Sequence, residues 1–94
     1  MAETIEELTV TYTEDGIETT KELGKVILSK GSWTTIIFRY QDWDRVKEEY
    51  GAEKYTIRRY QKRNGEYRAQ SKFNISSRAQ AQGIIDALQS WLIE

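Results

Sequence analysis

The sequence predicts an α+β domain, an antiparallel β-meander of four to five curved strands followed by one C-terminal amphipathic helix packed on one face. Three observations carry this. Stretches of alternating apolar and polar residues, rich in β-branched types, are punctuated by Glu14-Asp15-Gly16, Lys30-Gly31 and Asn64-Gly65. Period-two alternation bounded by such turn residues marks half-buried strands. Beyond Ser77 the period changes, and Ala81, Ile84, Ile85, Leu88, Trp91 and Leu92 recur at helical spacing as one apolar stripe. Finally, the 94 residues contain no proline and no low-complexity stretch, so residues 1–94 read as a single domain.

Leu8, Val10 and Tyr12 alternate with Thr9, Thr11 and Thr13, which predicts a first strand over about 4–13. A second extended segment covers 17–29, with Gly24 as a bulge or bend. The stretch 32–43 is the most apolar, with Trp33, Ile37 and Trp43 at one parity and Ile36, Phe38 and Tyr40 at the other. That predicts a central strand partly covered on both faces. In Asp44 to Gly51, Val46 and Tyr50 sit four apart ahead of a glycine, a pattern compatible with a short helical turn. Two further strands, about 54–62 and 66–75, flank Asn64-Gly65, and the helix spans about 77–92. Ser76 or Ser77 is its N-cap, and Gln80 stands at capping-box spacing from Ser77. Gly83 costs the helix roughly 1 kcal/mol against alanine, a cost that close approach to the sheet or to a second helix would offset.

The register of the last hairpin sorts its charges. Asn-Gly favours a two-residue turn, but that register would set Lys62 opposite Tyr67 and Ile57 opposite Lys72, mixing cations with core residues on both faces. A three-residue loop, Arg63-Asn64-Gly65, groups Tyr55, Ile57 and Arg59 with Phe73, Ser71, Ala69 and Tyr67. The other face then collects Lys54, Thr56, Arg58, Tyr60 and Lys62 with Lys72, Gln70, Arg68 and Glu66. One-sided burial favours the second arrangement. An internal echo supports the same phase: Ile37-Phe38-Arg39-Tyr40-Gln41 recurs as Ile57-Arg58-Arg59-Tyr60-Gln61. In equivalent strands Ile37 and Ile57 face the helix, whereas Phe38, Tyr40, Arg58 and Tyr60 face away.

Several functions are excluded by composition. There is no cysteine and no histidine, which removes thiol chemistry, the commonest metal ligands and the commonest neutral-pH base. No glycine-rich phosphate loop or serine-nucleophile motif is present. Asp42-x-Asp44 and Glu48-Glu49 read as solvated charge rather than a metal or acid–base pair. The expectation is a non-enzyme with no cofactor, no metal and no small-molecule substrate. No apolar run exceeds three residues, so neither a membrane span nor an export signal is expected and the cytoplasm is the default location.

Charge is distributed unevenly around a net of −1. Residues 1–24 carry Glu3, Glu6, Glu7, Glu14, Asp15, Glu18 and Glu22 against Lys21 alone. Residues 54–78 carry Lys54, Arg58, Arg59, Lys62, Arg63, Arg68, Lys72 and Arg78 against Glu66 alone. The helix covers one sheet face; the other is expected to present Phe38, Tyr40 and Tyr60 interleaved with Lys54, Arg58, Lys62, Arg68 and Lys72. Cations neutralise phosphates and exposed rings stack on unpaired bases, so this mixture points to single-stranded nucleic acid. Two other readings stay open. The aromatic face or the helix stripe could dock a protein, including a second copy, or the acidic first strand could simply neutralise the basic hairpin.

Ile57-Arg58-Arg59-Tyr60, Gly65-Glu66, Lys72 and Ile75-Ser76 leading into an amphipathic helix resemble the last hairpin and helix of the positive-cofactor-four transcriptional coactivators, which share a fold with the plant Whirly proteins. The resemblance covers roughly residues 20–93. It implies that Arg58, Tyr60, Lys62, Arg68 and Lys72 lie where that family presents DNA-contacting groups, and that Ile84, Leu88 and Trp91 contact a partner helix in a homodimer. The chain departs from the pattern at Lys72-Phe73-Asn74, at the acidic N-terminus and at the acidic Asp42–Glu53 segment.

Overall fold

The computed structural model describes residues 3–93. A 3-10 turn, Ile5–Glu7, leads into the sheet strands β1 (Tyr12–Glu14), β2 (Ile17–Ser29), β3 (Trp33–Asp44), β4 (Glu49–Tyr50), β5 (Lys54–Arg63) and β6 (Glu66–Ile75), and helix α1 (Arg78–Leu92) closes the chain. All pairings are antiparallel, in the order β1-β2-β3-β5-β6, with the short β4 folded back on β3. This is the expected curled meander with one C-terminal helix, and β3 is its centre.

Bulges supply the curl, because an extra residue in one strand sharpens its twist. The register slips at Leu23, next to Gly24 as anticipated, again at Leu28, and once in the last hairpin. That last slip corrects the expected three-residue loop. Arg63 pairs with Glu66, so Asn64-Gly65 is a two-residue turn, and both residues have positive φ, 51° and 80°, as a type I′ turn requires. Lys62 therefore faces Tyr67 and Tyr60 faces Ala69; past the bulge at Gln70, Arg58 faces Lys72 and Ile57 faces Phe73. The expected sorting holds below the bulge and inverts above it. Gly65→Ala should cost about 1 kcal/mol, since only glycine takes that φ without strain; a urea midpoint unchanged from wild type would rule out the I′ geometry.

A larger correction concerns the N-terminus. Residues 4–13 do not form a first strand: only Tyr12–Glu14 pairs, in β1. Leu8 and Val10 instead lie across a face of the sheet, where both are buried against Ile36, Phe38 and Tyr60, with Ile5, Ile27, Tyr40 and Tyr67 at the margin. This strap and the sheet beneath it are the main core. Lys25 fastens it, donating to the carbonyl oxygens of Ile5 at 2.6 Å and Leu8 at 2.7 Å. Thr34 and Thr56, fully buried on the same face, are satisfied by the Gly31 carbonyl and by Asn74.

The opposite face carries the row Val26–Ile37–Ile57–Phe73, and α1 lies along it. Ser77 caps the helix, its Oγ accepting from the Gln80 amide at 3.1 Å. The side chain of Gln80 turns back to the Ser76 amide at 3.0 Å. The helix stripe points toward the sheet without closing on it, and no helix residue is buried. A Cβ added at Gly83 would meet nothing, so the expected close approach of that glycine to the sheet is not made. The segment after β3 is a turn rather than a helix: Asp44 Oδ1 accepts from the amides of Val46 and Lys47. None of the described helices is long and apolar enough to cross a membrane.

Candidate nucleic-acid interface

Strand register decides which cations share a surface. On the strap face, Arg58 stands directly opposite Lys72, and Lys62 lies further along β5 opposite Tyr67. Thr56 Oγ1 is 3.4 Å from Arg58 Nε and 2.8 Å from Asn74 Oδ1, which ties the guanidinium to the sheet surface. Lys62 Nζ sits 5.4 Å from the centre of the Tyr67 ring. A notch of about 200 Å³ opens between Arg58 and Lys72 at the bulge, lined also by Ala69, Gln70 and Ser71. Like charges directly opposite in a sheet repel, and among the described residues no carboxylate bridges these two.

Other cations are already engaged. Lys54 pairs with Asp42 at 3.0 Å, Arg39 with Glu53 at 3.3 Å, Arg45 with Glu14 at 3.5 Å and Arg68 with Glu66 at 3.6 Å. Arg59 stacks on Trp33, 4.6 Å from its ring centre, on the helix face.

The expected constellation is therefore only partly brought together. Arg58, Lys62 and Lys72 emerge on one side. Lys54 shares that side but is held by Asp42, whose other carboxylate oxygen accepts from Thr20. Arg68 pairs opposite Gln61 on the helix face, because the bulge inverts the alternation above Gln70. The aromatic part changes most. Phe38 has no exposed surface and Tyr60 is 5% exposed, both beneath the strap; the face expected to be bare is covered. Burial pushes the Tyr60 phenol above its ordinary range, Arg58 opposing and Glu22 reinforcing the shift, so it stays neutral at physiological pH. Tyr40 remains half-buried at the edge of the core. Sequence reasoning missed Tyr67, which the two-residue turn brings to this face, and Lys25. The Asn64-Gly65 pair was the available signal for Tyr67; nothing local marks Lys25.

The helix face holds a second feature. Between α1 and the sheet runs an apolar trough of about 510 Å³, lined by Leu28, Ile37, Tyr55 and Ile57 on one side and Ile84, Ile85 and Leu88 on the other, with Arg78 at its edge. Val26, Phe73, Leu88 and Trp91 are each about half-exposed or more. Of the predicted dimer residues, Ile84 is partly buried against the trough, while Leu88 and Trp91 are exposed.

No family model, curated protein or solved structure matches this chain. Among the described residues, no three carboxylates cluster as a metal site.

Proposed function

We propose that the chain binds single-stranded nucleic acid along the β5–β6 half of the strap face, without catalysis. The observation that carries this is the juxtaposition of Arg58 and Lys72, with Lys62 further along β5 on the same face and, among the described residues, no carboxylate in an ion pair with any of the three. Opposed cations raise the energy of an empty sheet face and lower it when a polyanion lies between them. Tyr67, half-buried opposite Lys62, offers ring surface for an unpaired base at one end of the strip, and the half-buried Tyr40 lies off it on β3, opposite Lys54. The resemblance of residues 57–76 to the positive-cofactor-four pattern supports DNA as the strand and a coactivator-like role.

Titration of fluorescent mixed-sequence oligonucleotides tests it. Three phosphate contacts on a single strand predict that log K falls with log salt at a slope of about −2. Arg58→Ala and Lys72→Ala should each weaken binding across all sequences and flatten that slope by about 0.7. Duplex of the same sequence should bind less well. Absence of binding at low salt would end the proposal.

A second reading concerns the helix face and is compatible with the first: the chain pairs with another copy of itself. Its radius of gyration is 15.1 Å, against about 12 Å for a compact domain of this length. Its accessible surface is 6760 Å² for 11.0 kDa, about 1,100 Å² more than a typical monomer of that mass. A standard interface removes about 800 Å² per partner. The trough also supplies its own occupant. A bare apolar sheet row and an under-packed helix stripe in one chain are the two halves of a self-complementary two-fold contact.

A further inference from the structure

The strap over Phe38 and Tyr60 is attached unlike any other part of the core. Leu8 to Thr11 belong to no strand, so no ladder of backbone hydrogen bonds holds them to the sheet. Their polar fastenings all run to β2. Lys25 grips the carbonyls of Ile5 and Leu8, Thr9 Oγ1 meets the Glu22 carboxylate at 2.6 Å, and the Glu22 amide meets Thr11 Oγ1 at 3.3 Å. Ahead of them, Glu7 Oε1 accepts from Thr4 Oγ1 and from the amides of Glu3 and Thr4, tying the turn to itself rather than to the sheet. The segment is thus a locally closed unit joined to the sheet by the apolar side chains of Ile5, Leu8 and Val10 and a few polar contacts on one strand. It is also acidic, with Glu3, Glu6 and Glu7 exposed, and it covers half of a face whose other half is cationic.

We propose that residues 4–11 are an exchangeable cover, displaced when a single-stranded nucleic acid occupies the strap face. The inference rests on the strap-face reading above and adds its regulation. A ligand shifts a conformational balance only by binding one state better than the other, and here the open state offers more. Displacement exposes the rings of Phe38 and Tyr60 for base stacking, and it frees the Lys25 ammonium, 6.0 Å from the Phe38 ring, as a fourth cation on the same face, across β3 from Arg58. It also moves the carboxylates of Glu6 and Glu7 away from the incoming phosphates. The closed state keeps the rings covered and the cation satisfied in the absence of nucleic acid, which limits the affinity for short or weakly charged ligands.

Amide hydrogen exchange on the full chain, with and without a saturating mixed-sequence single-stranded oligonucleotide at low salt, reads this directly. The amides that the strap engages, those of Leu8 on the Ile5 carbonyl, Thr11 on Thr9 Oγ1 and Glu22 on Thr11 Oγ1, should exchange at least tenfold faster in the complex, while those of β5 and β6 slow. Unchanged or slowed exchange in the strap, with β5 and β6 protected, would make the strap a fixed part of the core and overturn the proposal while leaving strap-face binding intact. A loosened strap gives an independent measure. Leu8→Asp, with its sheet verified by circular dichroism, should bind the oligonucleotide about tenfold more tightly than wild type, and equal or weaker binding counts against the cover. Should that variant fail to fold, the exchange measurement on the native chain decides. Binding by neither chain removes the strap-face reading and this inference with it.

Discussion

Phe38→Ala is expected to lower the stability of the domain by about 3–5 kcal/mol, the range for emptying a fully buried aromatic site. Phe38 has no exposed surface and lies in the cluster of Leu8, Val10, Ile36 and Tyr60 between the strap and the sheet. A domain of this size is held by about 5–14 kcal/mol in all, so the loss takes a large share of the total. Urea unfolding followed by circular dichroism measures it, and the slope of the transition should be little changed. The sequence alone leads to the opposite expectation. If Phe38 stood on a bare face waiting for a base, its removal would barely affect stability and would act only on binding. A loss below about 0.5 kcal/mol, within the range of ordinary surface substitutions, would therefore show that the strap does not cover the ring in solution.

Leu88→Asp should separate the chains of the proposed homodimer while leaving each one folded. Leu88 is 49% exposed and lines the trough together with Ile84 and Ile85, so within one chain it has little packing to lose. Across a two-fold contact the substitution occurs twice. Each occurrence removes the burial of the exposed half of the side chain, about 0.8–1.5 kcal/mol, and places a carboxylate where water is excluded. Doubled, the apolar loss alone raises the dissociation constant by roughly one to two orders of magnitude. Sedimentation equilibrium at tens of micromolar should find wild type as a dimer and Leu88→Asp as a monomer with the same helix content. A wild-type chain that stays monomeric at millimolar concentration would reject self-association. The two substitutions form a crossed pair: Phe38→Ala is expected to act on folding without touching the proposed association face, and Leu88→Asp on association with little effect on the fold.

The hairpin of β5 and β6 shows how far local reasoning reaches. The alternation of Tyr55, Ile57 and Arg59 against Thr56, Arg58 and Tyr60 was legible, and so was the Ile37–Ile57 echo, which the structure realises as a directly opposed pair facing the helix. The turn residues were legible too. What was not legible is that one strand changes register part-way. A bulge at Gln70 lets the tip obey Asn64-Gly65 and the base obey the apolar row, so two demands that look contradictory for a regular ladder are both met. The cost falls on Arg68, moved to the helix face, and the gain on Tyr67, brought beside Lys62.

By itself the sequence determined the meander, the order and extent of its long strands, the capped C-terminal helix and the concentration of cations in the last hairpin, because periodicity, turn chemistry and charge are properties of neighbouring residues. Only the tertiary structure decided which layer lies on which face. Leu8 and Val10 alternate with threonines whether they pair in a ladder or lie across a sheet, since period two belongs to extended backbone and not to its partner. Their contact with Phe38 and Tyr60, nearly thirty and fifty residues away in the chain, depends on a long-range choice between covering a face and extending an edge, and apolar burial made it.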